Sequence, residues 1–195
     1  FLSTGAANIS EIEEAIEVIS RHTQMIVVMH CNLCYPTSNS NANLGMIMDL
    51  KNRFGDKYVI GLSDHTTDEQ TLAYSYLLGA TVFERHYTVD KSLGKSPDNK
   101  FGVNPRELKC LIGHLENAKA MLGSTKKTST FSEEKARKFA RRSIVASRPI
   151  RSGDVLTADN LTFKRPGTGL SPKFFNDIVG TRAPRDFNED DFIEL

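Results

Sequence analysis

Short apolar runs alternate with amphipathic helical stretches over the first 123 residues, and this alternation constrains the possible folds most strongly. The predicted strands cover residues 25–31, 58–62 and 81–88, and the first is a nearly continuous apolar run, as expected for a strand buried on both faces. The predicted helices cover residues 9–20, 43–54, 67–79 and 104–123. Repeats of this kind predict parallel β/α units, arranged in a barrel or an open sheet.

Helix boundaries are marked by capping residues. Three pairs show the capping-box spacing: Ser10 with Glu13, Thr67 with Gln70, and Asn104 with Glu107. Gly55, Gly79 and Gly123 are the expected helix ends. On the last helix, the predicted apolar stripe consists of Leu108, Leu111, Ile112, Leu115 and Leu122.

Beyond residue 123 the character of the sequence changes. Residues 124–141 are rich in Ser, Thr, Lys and Glu, and we interpret them as a linker with a short helix. Residues 142–195 consist of short strands and turns, which predicts a small β-rich domain.

The segment 1–123 offers three whole strands and a stub, whereas a closed barrel of this type has about eight strands. Since the chain also opens on Phe1 without Met, we expect 1–123 to be part of a larger domain.

Charge and cysteine content exclude several functional classes. The chain has 25 Lys and Arg against 24 Asp and Glu, without a polybasic arm, so no nucleic-acid partner is expected. Its three cysteines fit a reducing cytoplasm. The longest apolar run, residues 25–29, is too short to cross a membrane.

Polar residues follow each predicted strand, at the edge where parallel sheets place functional groups. His65 and His86 lie at the ends of neighbouring predicted strands and, as neutral imidazoles, could share a divalent metal with water and substrate oxygens. Spacing alone still favours ordinary hydrogen-bonded loop histidines.

The other candidate residues also have a structural interpretation beside the functional one. Residues 3–5 precede a helix and could bind an anion, or merely form a turn and cap. The pair Cys31 and Cys34 is interpreted as structural thiols, because a single pair is weak for zinc and a redox site would open a helix. Asp98 could assist proton transfer or form an Asx turn. Arg165, on a predicted tight turn, matches an inert surface arginine.

Taken together, the motifs STG, HC-x-x-x-YP, GLSDHT, FERHYTVDK, SPD, RRSIVA and KRPGTG resemble the sialic acid synthase family. The resemblance covers nearly the whole chain. It implies an α/β fold that is the C-terminal half of a (β/α)8 TIM barrel, followed from about residue 142 by a small SAF, or antifreeze-like, domain of the β-clip type.

The resemblance also implies an activity. Members of the family condense phosphoenolpyruvate with an N-acylated amino sugar, here N-acetylmannosamine or a diacetamido-dideoxy hexose, by metal-assisted C–C bond formation with release of phosphate. It implies Mn2+ as the metal, with Mg2+ as the alternative, and a domain-swapped homodimer. A catalytic glutamate and phosphate-holding lysines would lie in the other barrel half, so 195 residues alone are expected to be inactive.

The resemblance also implies roles for individual residues of this chain. His65 and His86 match the two metal-binding histidines, and Ser3 and Ser63 match serines that contact the phosphate of phosphoenolpyruvate. Three further residues match. Tyr35 would line the sugar site, and Asp98 would lie near the amino-sugar hydroxyls as a catalytic residue. Arg165 would reach the N-acyl group in the barrel of the partner subunit.

Several positions depart from the family pattern. Leu33 stands where Asn or Ser is usual, Ser96, Asn99 and Gly102 replace Gly, His and Ser, and Arg85 replaces a frequent Lys. These departures leave an alternative open, a non-catalytic sugar-binding relative. A metal-dependent barrel lyase or aldolase that consumes pyruvate is a third interpretation.

Overall fold

The computed structural model describes residues 1–93, 96 and 98–194. The chain divides into two compact units, Phe1–Thr125 and Lys126–Leu195. The first unit contains a four-stranded sheet with helices, and the second contains a two-stranded sheet with short helices.

The sheet of the first unit is entirely parallel, in the order β1-β2-β3-β4. Its strands are β1 (Leu2–Ser3), β2 (Val27–Cys31), β3 (Val59–Asp64) and β4 (Val82–Arg85). Its helices are α1 (Ile9–Ser20), α2 (Met46–Phe54), α3 (Thr71–Leu78), α4 (Asp98–Phe101) and α5 (Pro105–Leu122), with 3-10 turns at Asn39–Asn41 and Lys91–Leu93. The predicted α/β class with a parallel sheet is confirmed, and the carboxyl ends of all four strands lie at one edge.

Helix starts agree with the capping prediction at α5 and differ at α1. At α5 the box is Asn104 with Glu107, as predicted. At α1 the box is Asn8 with Glu11, and the Ser10 hydroxyl donates to the Asn8 side chain instead of capping. The predicted box was wrong by two residues, because the Asn8 side chain accepts the Glu11 N–H at 3.1 Å and so caps the helix before Ser10.

The predicted start of α3 was also wrong. Residues 66–70 form a loop in which side chains satisfy the main chain: Asp68 accepts the N–H of Gln70 at 2.7 Å, and the hydroxyl of Thr66 lies 2.8 Å from that of Thr71. The predicted end is correct, since Gly79 adopts φ 112° directly after the helix. In the connection 90–104, expected to be a loop, the structure has α4.

The core of the first unit lies between the sheet and its helices. It consists of Ile12, Ile16, Ile26, Val28, Ile47, Leu50, Ile60, Leu62, Leu72, Ala80, Val103 and Leu111. The stripe predicted on α5 is only partly covered, because Leu111 is buried whereas Ile112 and Leu122 are about half exposed.

The second unit has its own core around an antiparallel pair, β5 (Ser143–Ala146) and β6 (Leu161–Lys164). Its helices are α6 (Glu134–Phe139) and α7 (Phe175–Ile178), with 3-10 turns at Phe131–Glu133 and Pro172–Phe174. The core consists of Ile144, Ala146, Ile150, Leu156, Leu161, Ile178, Ala183, Phe187 and Ile193. The segment predicted as a linker, 124–141, is exposed throughout and carries α6.

Candidate functional site

Two histidines stand side by side at the carboxyl edge of the sheet. Asp64 of β3 pairs in register with Arg85 of β4, and His65 and His86 are the residues that follow. Parallel register therefore places both imidazoles at the same height, with ring centroids 5.1 Å apart. The structure brings together the pair that the sequence singled out.

The surroundings of His65 fix which ring nitrogen carries the proton. Its Nδ1 lies 2.9 Å from the carbonyl oxygen of Asn32 and 3.8 Å from the Cys31 sulfur, and the ring is buried. Because a carbonyl only accepts, Nδ1 donates, and in the neutral ring Nε2 is then the nitrogen with the lone pair. A histidine held in this way presents a ready nitrogen ligand.

His86 lies beside α4. Its Nδ1 is 3.7 Å from a carboxylate oxygen of Asp98, the first residue of that helix, and its ring centroid is 5.0 Å from that of Phe101. Asp98 is itself more than half exposed, at 55% of its side chain. The predicted catalytic aspartate thus adjoins the histidine pair; Pro97 of the same motif lies outside the described residues.

Tyr35 completes an aromatic cluster over the histidines. Its ring centroid is 4.1 Å from that of His65 and 5.8 Å from that of His86. Next to this cluster is a cavity of about 510 Å3 lined by Tyr35, Pro36, Thr67, Asp98, Lys100 and Phe101. The predicted sugar-site tyrosine therefore contacts both histidine rings and also lines the cavity.

Ser63 is buried and its hydroxyl is already engaged. It donates to the carboxylate of Glu84, its in-register neighbour on β4, at 2.9 Å. To donate to a phosphate, the Ser63 hydroxyl would have to leave Glu84. Sequence reasoning did not single out Glu84, although an acid inside a predicted strand is a signal for a cross-strand polar partner.

A second cavity, of about 650 Å3, adjoins the ends of β1 and β2. Thr4, His30, Cys31, Asn32 and Leu33 are among the residues that line it. The hydroxyl of Thr4 donates to the Met29 carbonyl at 2.8 Å. The predicted phosphate contact Ser3 is exposed at the end of β1.

The remaining candidates differ in exposure. Cys31 is buried and Cys34 exposed, and both are free thiols. Arg165 belongs to the second unit, where it is exposed in the turn after β6 and precedes a cis proline. Within residues 1–93, 96 and 98–194, no group of three or more His, Cys, Asp or Glu side chains is arranged to hold a metal ion.

A parallel sheet with paired histidines at neighbouring strand ends defines an α/β protein with a candidate ligand site at the carboxyl edge of its strands. The chain belongs to the NeuB family, whose model matches residues 1–127, and residues 141–194 match the SAF domain.

Relatives agree with this assignment. The chain is 36% identical to the N,N'-diacetyllegionaminic acid synthase of Campylobacter jejuni over 98% of this chain and 58% of the relative. It is 32% identical to a pseudaminic acid synthase of the same species, over 99% of this chain and 55% of the relative. The crystal structure of the Bacillus subtilis spore coat polysaccharide biosynthesis protein SpsE matches with 35% identity and a TM-score of 0.58, covering 98% of this chain and 58% of SpsE. The chain thus spans little more than half the length of these relatives.

Within the described part of the chain, no helix is both long and apolar enough to cross a lipid bilayer.

Proposed function

We propose that the protein is a nonulosonic acid synthase. It would join C3 of phosphoenolpyruvate to the aldehyde carbon of an N-acylated amino sugar; water then adds at C2, and phosphate leaves with the bridging oxygen. The observation that carries the proposal is the paired His65 and His86 at adjoining strand ends in a chain of the NeuB family. The names of the relatives, legionaminic and pseudaminic acid synthases, support the same reaction class.

The donor set fits a divalent metal, Mn2+ or alternatively Mg2+. His65 presents Nε2 because its Nδ1 donates to a carbonyl, and the His86 ring is close enough to reach a common ion. Two imidazoles are an incomplete shell, so water and substrate oxygens would supply the rest. When bound, the ion acts as a Lewis acid on the sugar aldehyde.

The other residues position the substrates in this proposal. Tyr35 forms one wall of the 510 Å3 cavity beside the histidines, where a sugar would lie, and Asp98 offers a carboxylate to its hydroxyls. Ser3 and Ser63 would contact phosphate. Arg165 would act on the N-acyl group in the partner subunit of a domain-swapped homodimer. The four parallel strands would be the C-terminal half of a (β/α)8 barrel.

A phosphate-release assay tests the proposal. The full-length protein, supplied with Mn2+ and phosphoenolpyruvate, is screened with N-acetylmannosamine and with the diacetamido-dideoxy hexoses that lead to pseudaminic and legionaminic acids. We expect release only with a 2-acetamido sugar present, and EDTA should stop it. Absence of phosphate release with every one of these sugars would contradict the proposal.

Replacing His65 tests whether the histidine pair is needed for phosphate release. We expect His65→Ala to lower the rate of phosphate release at least about 100-fold, because loss of a direct ligand should exceed the roughly 10–100-fold effect of changing its supporting partners. His22→Ala, at an exposed position, is the matched control and should retain wild-type rates. Circular dichroism checks that both variants fold; an active His65→Ala enzyme would contradict the assignment.

One observation favours a second candidate, a non-catalytic sugar-binding protein. Leu33 is 63% exposed and lines the cavity beside β2, where the family resemblance led us to expect a polar side chain. Binding of Mn2+ and sugar without phosphate release would support this candidate. Consumption of pyruvate in place of phosphoenolpyruvate would instead indicate a lyase or aldolase.

A further inference from the structure

The residues that directly precede the two histidines form a buried ion pair. Arg85 and Asp64 are in-register partners on β4 and β3, and their side chains are only 7% and 1% exposed. Side chains alternate along a strand, so this pair lies on the opposite face of the sheet from the Ser63–Glu84 pair. The ends of β3 and β4 are therefore joined to each other by a polar contact on each face of the sheet, immediately before His65 and His86.

The same ion pair holds the main chain that follows His65. Arg85 donates to the Thr66 carbonyl at 2.5 Å and to the Asp68 carbonyl at 3.3 Å. The Asp64 carboxylate accepts the Thr66 N–H at 2.8 Å. Both main-chain polar groups of Thr66 are thus bound by the pair, which limits the freedom of the peptide that adjoins His65.

On the other side, the loop after β2 holds His65 itself. The His65 carbonyl accepts the N–H of Thr37 at 2.8 Å, and its ring donates to Asn32. These contacts tie His65 to the loop after β2, and the contacts of Arg85 tie the segment after β3 to the end of β4.

We infer that Arg85 is a positioning residue, which sets the distance between His65 and His86 through the Asp64 carboxylate and the Thr66 carbonyl. The inference rests on the proposed metal-binding function of the histidines. A guanidinium suits the task because its planar fork serves a carboxylate and two carbonyls at once, whereas a lysine ammonium is a point charge on a flexible stem.

Metal affinity tests the inference without relying on turnover. Mn2+ binding to the full-length protein is measured from the electron paramagnetic resonance signal of free Mn2+. We expect Arg85→Met to weaken binding at least about 10-fold, in line with other partners of metal ligands, and Arg85→Lys to have a smaller effect. Arg53→Met is the matched control, because Arg53 pairs with Asp49 on the surface of α2; it should bind as the wild type does.

A double variant separates positioning from simple loss of stability. Arg85→Met alone leaves the buried Asp64 charge without its partner, which can unfold the protein. Asp64→Asn combined with Arg85→Met leaves no unpaired charge, and we expect it to fold, as checked by circular dichroism, yet still bind Mn2+ at least about 10-fold more weakly.

The outcomes separate the inference from the proposed function. Wild-type affinity in the folded double variant would overturn the positioning role and leave the synthase proposal intact. If the wild-type protein itself neither bound Mn2+ nor released phosphate, the proposed function would fail, and the inference with it.

Discussion

His30 illustrates how burial decides the chemistry of a single residue. It is one of three histidines at predicted strand ends, but it is 3% exposed and its Nε2 lies 2.8 Å from the Ala42 carbonyl. Burial lowers the pKa of His30 below its ordinary value, and the Ala42 hydrogen bond only partly opposes this. His30 is therefore a neutral donor at pH 7.

This lowered pKa predicts an acid-sensitive step in stability. Below about pH 6.5 the unfolded chain protonates His30 while the folded chain does not, so the free energy of unfolding falls as pH drops toward the lowered pKa, by at most about 1.4 kcal/mol per pH unit. Urea unfolding at pH 7.5 and 5.5 measures the slope. His30→Gln should flatten it, and His22→Gln, at an exposed position, should not; equal slopes in all three proteins would refute the prediction.

Within the candidate site, the sequence identified individual residues better than their partners. His65 and His86 were predicted from their positions at the ends of neighbouring strands, and the register places their rings 5.1 Å apart. The Asn32 carbonyl that orients His65 and the carboxylate of Glu84 that binds Ser63 were not predicted. These contacts join residues 33 and 21 positions apart, and only the strand pairing brings them together.

At the scale of elements, glycine and capping residues marked most helix ends. Gly79 ends α3 with φ 112°, a left-handed conformation that other residues adopt only with strain. A Cβ placed there would also lie 2.5 Å from the side chain of Lys51. By contrast, Gly113 is within α5, and a Cβ there would meet nothing within 4 Å.

We expect substitution by alanine to change the free energy of unfolding in opposite directions at the two glycines. Gly79→Ala should lower the free energy of unfolding by about 1–2 kcal/mol, because alanine resists the left-handed conformation. Gly113→Ala should raise it by about 0.5–1 kcal/mol, because alanine loses less entropy than glycine in a helix. Urea denaturation of both variants measures the difference, and stabilisation by Gly79→Ala would show that the conformational argument is wrong.

Helix α4 shows why short elements escape prediction. Its four residues are too few to show a periodicity, and they lie in a polar stretch. Tertiary contacts hold the segment: the Thr88 hydroxyl donates to Asn99 at 3.2 Å, and Tyr87 forms a bridge with Val103. This element brings Asp98 and Phe101 to His86, so a part of the site depends on structure that sequence pattern did not indicate.

At the scale of the whole molecule, each unit has its own core. In the described part of the first unit, β1 and β4 are the edges of a parallel sheet and carry unpaired main-chain groups. The second unit buries Phe187 and Ile193 almost completely.

This contrast predicts different behaviour of the separated units. Residues 126–195 expressed alone should remain in solution and unfold cooperatively on heating, and Phe187→Ala should abolish that transition, since it removes about 3–5 kcal/mol from a small core. Residues 1–125 alone should aggregate through their open edges. Size-exclusion chromatography and calorimetry test both statements; a stable monomer of residues 1–125 would contradict the second.

The sequence by itself determined what is local or periodic: the alternation of strands and helices, the cap at Asn104, the turn at Gly79 and the polar residues that follow each strand. Tertiary structure decided which of those polar residues meet. Parallel register aligned Asp64 with Arg85 and thereby His65 with His86, and it set the carbonyl of Asn32 against the His65 ring. Such contacts depend on the pairing of distant segments, and no spacing along the chain specifies that pairing.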